Sequence, residues 1–192
     1  MKLAGTYKAI FDRRTADHTE LSLMRDEIIP MFKLLEVDPP EDLDDLEWTL
    51  MRCMQMVYPD PPIRQVLDAL LEKGYDIYIL SNSIFSLEGN MRWLRYHKID
   101  HYFKKVYVSS EYGVRKPNQK FFDIALTEIL AEHPGLKRSD ITFVGDSLRE
   151  DAAGGVAAGL NTVWLNRRDW PNTLGGEVKE LKDKHELWEV VK

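Results

Sequence analysis

Residues 141–167 read ITFVGDSLREDAAGGVAAGLNTVWLNR, which is strand-like at both ends and helix-like between. Ile141–Val144 is a short β-prone run, Asp151–Ala158 is rich in small helix-compatible residues, and Thr162–Leu165 (TVWL) is a second β-prone run. Two strands joined by a helix lie parallel, because parallel neighbours need a long crossover. Between the first strand and the helix stand Gly145, Asp146 and Ser147. The carboxyl ends of parallel strands are where an open α/β sheet binds its ligands, so this turn is a place to look for chemistry.

The same alternation extends upstream. Asn118–Ala131 has a helical pattern, Lys104–Val108 (KKVYV) is strand-like, Leu87–His97 is helical, and Tyr75–Leu80 (YDIYIL) is strand-like. Ile63, Val66, Leu67, Leu70 and Leu71 form a helical stripe that Gly74 stops at the C′ position. Downstream, Glu177–Lys192 is charged, and Leu187, Val190 and Val191 are expected to dock a last short helix. Nearly continuous apolar strands between helices indicate a parallel sheet covered on both faces. The expected fold over residues 61–192 is a three-layer α/β, Rossmann-like core.

Residues 1–60 differ in kind. They hold six of the seven methionines and 7 Lys/Arg against 13 Asp/Glu. Their apolar residues fall at helical spacing: Leu21, Met24, Ile28, Phe32 and Leu35, then Leu43, Leu46, Leu50, Cys53 and Val57. Pro30 should break or kink the first helix, and Asp38 ahead of Pro39 and Pro40 is expected to cap the second. The segment is expected to be a small helical cap.

Composition narrows the partners. The chain has 192 residues and a net charge of −6. No Lys/Arg cluster is dense enough to follow a phosphate backbone, so nucleic acid is not an expected partner. A single cysteine, Cys53, forms no internal disulfide, as suits a reducing compartment. There is neither a membrane-length apolar run nor the apolar stretch of a signal peptide, and a cytoplasmic protein is the expectation.

Each strand end carries polar residues. Ser81 and Asn82 follow the first strand, Arg115-Lys116-Pro117 comes after the second, and Gly145-Asp146-Ser147 with Asp151 follows the third. Singly, each has a plain structural role: a helix cap, a surface lysine, a turn residue, a carboxylate at a helix start. Together they are the groups that hold a phosphate dianion beside magnesium, which takes one or two carboxylates and keeps several waters. A lysine charge and a hydroxyl can neutralise and orient the phosphoryl oxygens.

YILSNS, YGVRKPNQKFF (112–122) and the 141–167 stretch resemble the second, third and fourth signature motifs of the haloacid dehalogenase-like hydrolases, in their phosphatase-like branch with a helical cap. The resemblance is strong over residues 61–192, whereas residues 1–60 resemble the cap only in composition and pattern. It implies that Ser81 binds the transferring phosphoryl group with Asn82 alongside, and that Lys116 pairs with the phosphate and the nucleophile. It further implies Mg2+ as cofactor, with Asp146 as its ligand and Asp151 holding a metal-bound water. The implied substrate is a small phosphorylated metabolite, with self-association left open.

The family's first motif, a strand ending in Asp-x-Asp-x-Thr, has no match. Asp42-x-Asp44 lies in the acidic run EDLDD, which reads as the solvated first turn of a helix. Lys8–Asp12 (KAIFD) has the look of the strand and its aspartate, but Arg14 stands where the second aspartate belongs. The chain is therefore expected to begin inside the cap and to lack its nucleophile, with Asp12 as the rival assignment. Without that strand, either residues 3–11 substitute, or a second chain donates a strand, or the flanking strands pair directly. The last two are favoured, since Gly5 and the helical pattern argue against a substitute. Two functions stay open: a magnesium-dependent phosphomonoester hydrolase acting through an aspartyl-phosphate, and a non-catalytic relative keeping the pocket for binding or assembly. A dehalogenase suits Lys116 and the metal aspartates less well. No Gly-x-Gly-x-x-Gly follows a strand, which disfavours a dinucleotide-binding dehydrogenase.

Overall fold

The computed structural model describes residues 18–54, 59, 61–183 and 186–187. It is a mixed α/β structure whose strands all run parallel within their sheets. The chain divides into two units, residues 1–60 with 76–115 and residues 61–75 with 116–192.

In the first unit, Ser22 opens the helical segment. Its hydroxyl accepts from the Arg25 amide, and the Asp26 carboxylate accepts from the Ser22 amide at 2.8 Å. The winding is wide, π-type, over Leu23–Ile28, and becomes α-helical in α1 (Ile29–Leu34). The change falls at Pro30, which has no N–H to donate to the preceding turn, so the expected break appears as a change of winding. Helix α2 (Leu43–Met54) is capped by Asp42, which accepts from the Asp45 amide at 2.8 Å. The expected cap at Asp38 is thus corrected. Pro40 disfavours helical backbone at Pro39, so no helix starts there. The acidic run does form the first turn, with Asp44 and Asp45 at the positive end of the helix dipole.

Strands β1 (Tyr78–Ser81) and β2 (Lys105–Val108) pair in parallel with Ser81 opposite Val108. Between them runs α4 (Leu87–Tyr96), while α3 (Pro61–Glu72) belongs to the second unit. Leu23, Trp48, Met51 and Phe85 make the first unit's core, with Ile28, Leu50, Ile84 and Trp93 packed against it. Glu47 is buried on the same helix as Trp48 and Met51. Its carboxylate accepts from the Ser86 amide at 2.8 Å and from the Ser86 hydroxyl. Ser86 in turn caps α4, accepting from the Gly89 amide at 3.0 Å.

The second unit holds β3 (Thr142–Gly145), β4 (Asn161–Leu165) and β5 (Lys179–Leu181) in the order β3-β4-β5. Val66 and Leu70 of α3 pack with Val163, Leu165, Leu181 and Leu187. Gly74, at φ +79°, closes α3 as expected, with its amide donating to the Leu71 carbonyl at 2.9 Å. Leu187 docks as the sequence suggests, whereas Val190 and Val191 lie outside the described residues. Strand β5 has no forerunner in the sequence pattern, because a three-residue strand inside a charged stretch has no periodicity to show. Helix α6 (Gln119–Glu132, after the short α5, Ser109–Tyr112) buries Phe121 and Phe122, and α7 (Ala153–Ala157) lies tight against it. A Cβ on Gly154 would come within 2.7 Å of the Phe122 ring, and one on Gly155 within 2.7 Å of Thr162 Oγ1.

The described strands thus form two separate sheets, and among the described residues no ladder joins β1 to β3. Direct pairing of these strands, one of the two favoured outcomes, is not seen among the described residues. Leu3–Phe11 and Asp12 lie outside the described residues.

Met51 is 1% exposed in the first unit's core. Met51→Ala is expected to lower unfolding free energy by about 2–5 kcal/mol, read from the urea midpoint at unchanged m-value.

Candidate phosphate and metal site

At the end of β3 the chain turns through Gly145, Asp146 and Ser147 into a π-type turn, Leu148–Ala152. Ser147 caps that turn: its hydroxyl accepts from the Glu150 amide at 3.1 Å, and its carbonyl accepts from the Asp151 amide at 2.9 Å. The turn brings Asp151 back beneath the strand end. A Cβ on Gly145 would lie 2.3 Å from the Asp151 Cβ, so no other residue fits at 145 while Asp151 stays in place.

Asp151 meets a different group on each oxygen, and only Oδ2 has a hydrogen-bond donor. Oδ2 accepts from the Ser147 amide at 2.9 Å, and Oδ1 stands 2.6 Å from Lys116 Nζ. Both side chains are withdrawn from solvent, 11% exposed for Lys116 and 8% for Asp151. The Lys116 ammonium also lies 5.5 Å from the centroid of the Phe143 ring, where the π face favours a cation. The start of α6 anchors the backbone just beyond Lys116. Asn118 caps that helix, accepting from the Lys120 amide at 3.0 Å, and the Gln119 amide group donates to the Gly154 carbonyl at 3.2 Å.

Asp146 is the contrasting carboxylate. Its carbonyl accepts from Trp164 Nε1 at 3.1 Å, but its side chain is 66% exposed, with the Arg167 guanidinium 3.6 Å away. From the sequence, Asp146 and Asp151 are two like charges awaiting a cation. In the structure Lys116 already balances Asp151.

The donors fit magnesium. Asp146 offers a solvent-facing carboxylate at a strand end, a hard oxygen donor of the kind magnesium takes, while Asp151 Oδ1 is buried, ion-paired with Lys116 and without a hydrogen-bond donor. Among the described residues no three His, Cys, Asp or Glu side chains converge, so there is no closed cage of the zinc or calcium kind.

Ser81 and Asn82 belong to the first unit, where Ser81 ends β1 and Asn82 begins the loop after it. That loop is pinned by groups the sequence did not reveal. The Ser83 amide donates to the Ser109 hydroxyl at 2.9 Å, and Ser109 donates to Glu20 Oε2 at 2.8 Å. Arg115 Nε lies 3.6 Å from the same Glu20 oxygen. Glu47 carries one legible sign, since it is flanked by the apolar face of its helix; Glu20 carries none. The structure therefore brings Lys116 and Asp151 into contact and places Asp146 on the same turn. Ser81 and Asn82 stand at the strand end of the other unit.

Residues 20–165 match the family model for haloacid dehalogenase-like hydrolases. The chain belongs to this family. Among the relatives of this haloacid dehalogenase-like hydrolase is pyrimidine 5'-nucleotidase YjjG of Escherichia coli, 48% identical over 92 residues, 47% of this chain and 39% of that protein. Glyceraldehyde 3-phosphate phosphatase of Methanothermobacter thermautotrophicus is 29% identical over 142 residues, 71% of this chain and 60% of that one. The magnesium-bound crystal structure of the HAD-hydrolase YfnB of Bacillus subtilis superposes with a TM-score of 0.54 at 27% identity, covering 66% of this chain and 53% of the other. The chain spans about half the length of the curated relatives it matches.

Removing one member of a buried ion pair strands the other charge. Lys116→Met is expected to destabilise the protein by about 3–5 kcal/mol. Lys116→Met combined with Asp151→Asn should recover a large part of that loss, because Asn keeps an acceptor for the Ser147 amide without a charge. Thermal and urea denaturation of the two variants check this double-mutant comparison.

Proposed function

We propose that this chain binds a small phosphorylated metabolite with Mg2+ at a phosphomonoester-hydrolase site of the haloacid dehalogenase-like type. The observation that carries the proposal is the Lys116–Asp151 pair under the Gly145–Ser147 turn, which presents a buried ammonium at the carboxyl end of a parallel sheet. Phosphatase and nucleotidase relatives support the same class. In this proposal Lys116 neutralises the phosphoryl oxygens and Ser81 and Asn82 donate hydrogen bonds to them. Asp146 ligates the metal, and Asp151 holds one of its waters while keeping Lys116 in place. Bound magnesium supplies charge neutralisation on the phosphoryl group. Residues 1–60 serve as the helical cap on a core of residues 61–192. The place of action is the cytoplasm; no helix among the described residues is long and apolar enough to cross a membrane.

Covalent phosphoryl transfer also needs an attacking carboxylate. No described strand ends in Asp-x-Asp: β1 runs into Ser81-Asn82, β2 into Ser109, β3 into Asp146-Ser147, β4 into Asn166 and β5 into Lys182. The proposal is accordingly that the chain assayed alone holds phosphate and metal without turning substrate over.

Two measurements test this. Magnesium with inorganic phosphate is expected to raise the melting temperature of the wild type and to leave that of Asp146→Asn unmoved. An Asp146→Asn protein that responds as the wild type does removes Asp146 from the metal site. In the second measurement, an aryl phosphate with magnesium should give no turnover above background. Turnover that Asp12→Ala abolishes would instead make Asp12 the nucleophile.

A further inference from the structure

Beyond the carboxyl ends of β3 and β4, within the second unit, a depression of about 490 Å³ is bordered by Asp146, Arg167, Arg168 and Trp170. That volume lies in the range of small-molecule sites. The Trp170 indole is half exposed, a large apolar surface left facing this depression.

Trp170 is held there by an arrangement that a solvent-facing loop does not require. Asn166 is 3% exposed. Its side-chain NH2 donates to the Trp170 carbonyl and to Glu180 Oε1, each at 2.8 Å, and its oxygen accepts from the Trp170 amide at 2.9 Å. A buried amide thus clamps both backbone groups of one exposed tryptophan. Lys182 braces the clamp from outside, 2.5 Å from Glu180 Oε1 and paired with Asp169 as well. Its hydrogen bonds and charge hold the Glu180 and Asp169 carboxyls below the usual carboxylate range. Asp169 itself takes left-handed backbone, φ +54°, to turn the chain toward Trp170.

The cations nearby are already engaged. The Arg168 guanidinium lies 5.2 Å from the Trp170 ring centroid, and Arg167 is paired with Asp146. What the depression offers a ligand is therefore an aromatic ring on a clamped backbone, with the Arg168 guanidinium over one face, beside the carboxylate assigned to the metal, rather than a pair of free cations for a second anionic group.

We infer that Trp170 is a specificity-determining residue that stacks on a planar aromatic ring in the leaving group of the phosphomonoester, as a nucleobase would. The inference rests on the proposed phosphate and metal site for where the phosphate lies. Stacking on an aromatic side chain changes affinity by about five- to a hundredfold per base.

The test uses the full chain with magnesium and two probes that share a sugar phosphate, uridine 5′-monophosphate and ribose 5-phosphate, titrated by calorimetry. The expected result is at least fivefold tighter binding of the nucleotide. That ratio should fall toward one in Trp170→Ala and persist in Trp170→Phe, which keeps a ring. Equal affinities in the wild type, no measurable nucleotide binding, or a ratio that survives Trp170→Ala would each overturn the inference. Failure of the metal reading shows differently. If Asp146→Asn still answers to magnesium while the ratio depends on Trp170, the phosphate and metal assignment falls and the stacking surface stands.

Discussion

A buried ammonium and a buried carboxylate each lose hydration, and meeting one another offsets part of that loss. In the second unit Lys116 and Asp151 meet at 2.6 Å, and much else depends on that contact. A pair of this kind adds little net stability, because desolvation offsets most of its attraction. What it provides is placement. Gly145 has no side chain because Asp151 occupies the space a Cβ would need. The Ser147 amide donates to the carboxylate's Oδ2, and Phe143 lays its ring near the ammonium. The outcome is a lysine charge fixed at a sheet end, where an anion can use it.

The first unit applies the same physics with other residues. Glu47 and Glu20 are buried carboxylates, each matched by hydroxyl or amide donors in the segments just after β1 and β2. A buried polar network rigidifies what it touches, and here it touches the loop after Ser81.

Local chemistry was legible in the sequence wherever a short window contains its cause. Gly74 ends its helix, Asn118 starts one, and the apolar runs become strands within a few residues of their expected bounds. The errors came where two local rules competed. Asp38 looks like a cap until the second proline is weighed, and the helix then starts at Asp42. Strand β5 left no trace because three residues cannot display a period, and its partner β4, rather than its composition, makes it a strand.

The order and spacing of Ser81, Lys116, Asp146 and Asp151 along successive strands singled out the polar and charged residues, and the motifs around them resemble the family that the model match shows. Which carboxylate each cation meets was not legible there. The chain holds 26 Lys/Arg and 32 Asp/Glu, and nothing local couples Lys116 to Asp151 rather than to Asp146. The same holds for Glu20, whose hydroxyl partner is 89 residues away, and for Glu47, whose partner is 39 away. Periodicity, caps and turns are short-range, set by backbone sterics and neighbouring side chains, so sequence determined them. Charge pairing and burial depend on separations of a few ångströms between distant segments, and only the folded chain decides those.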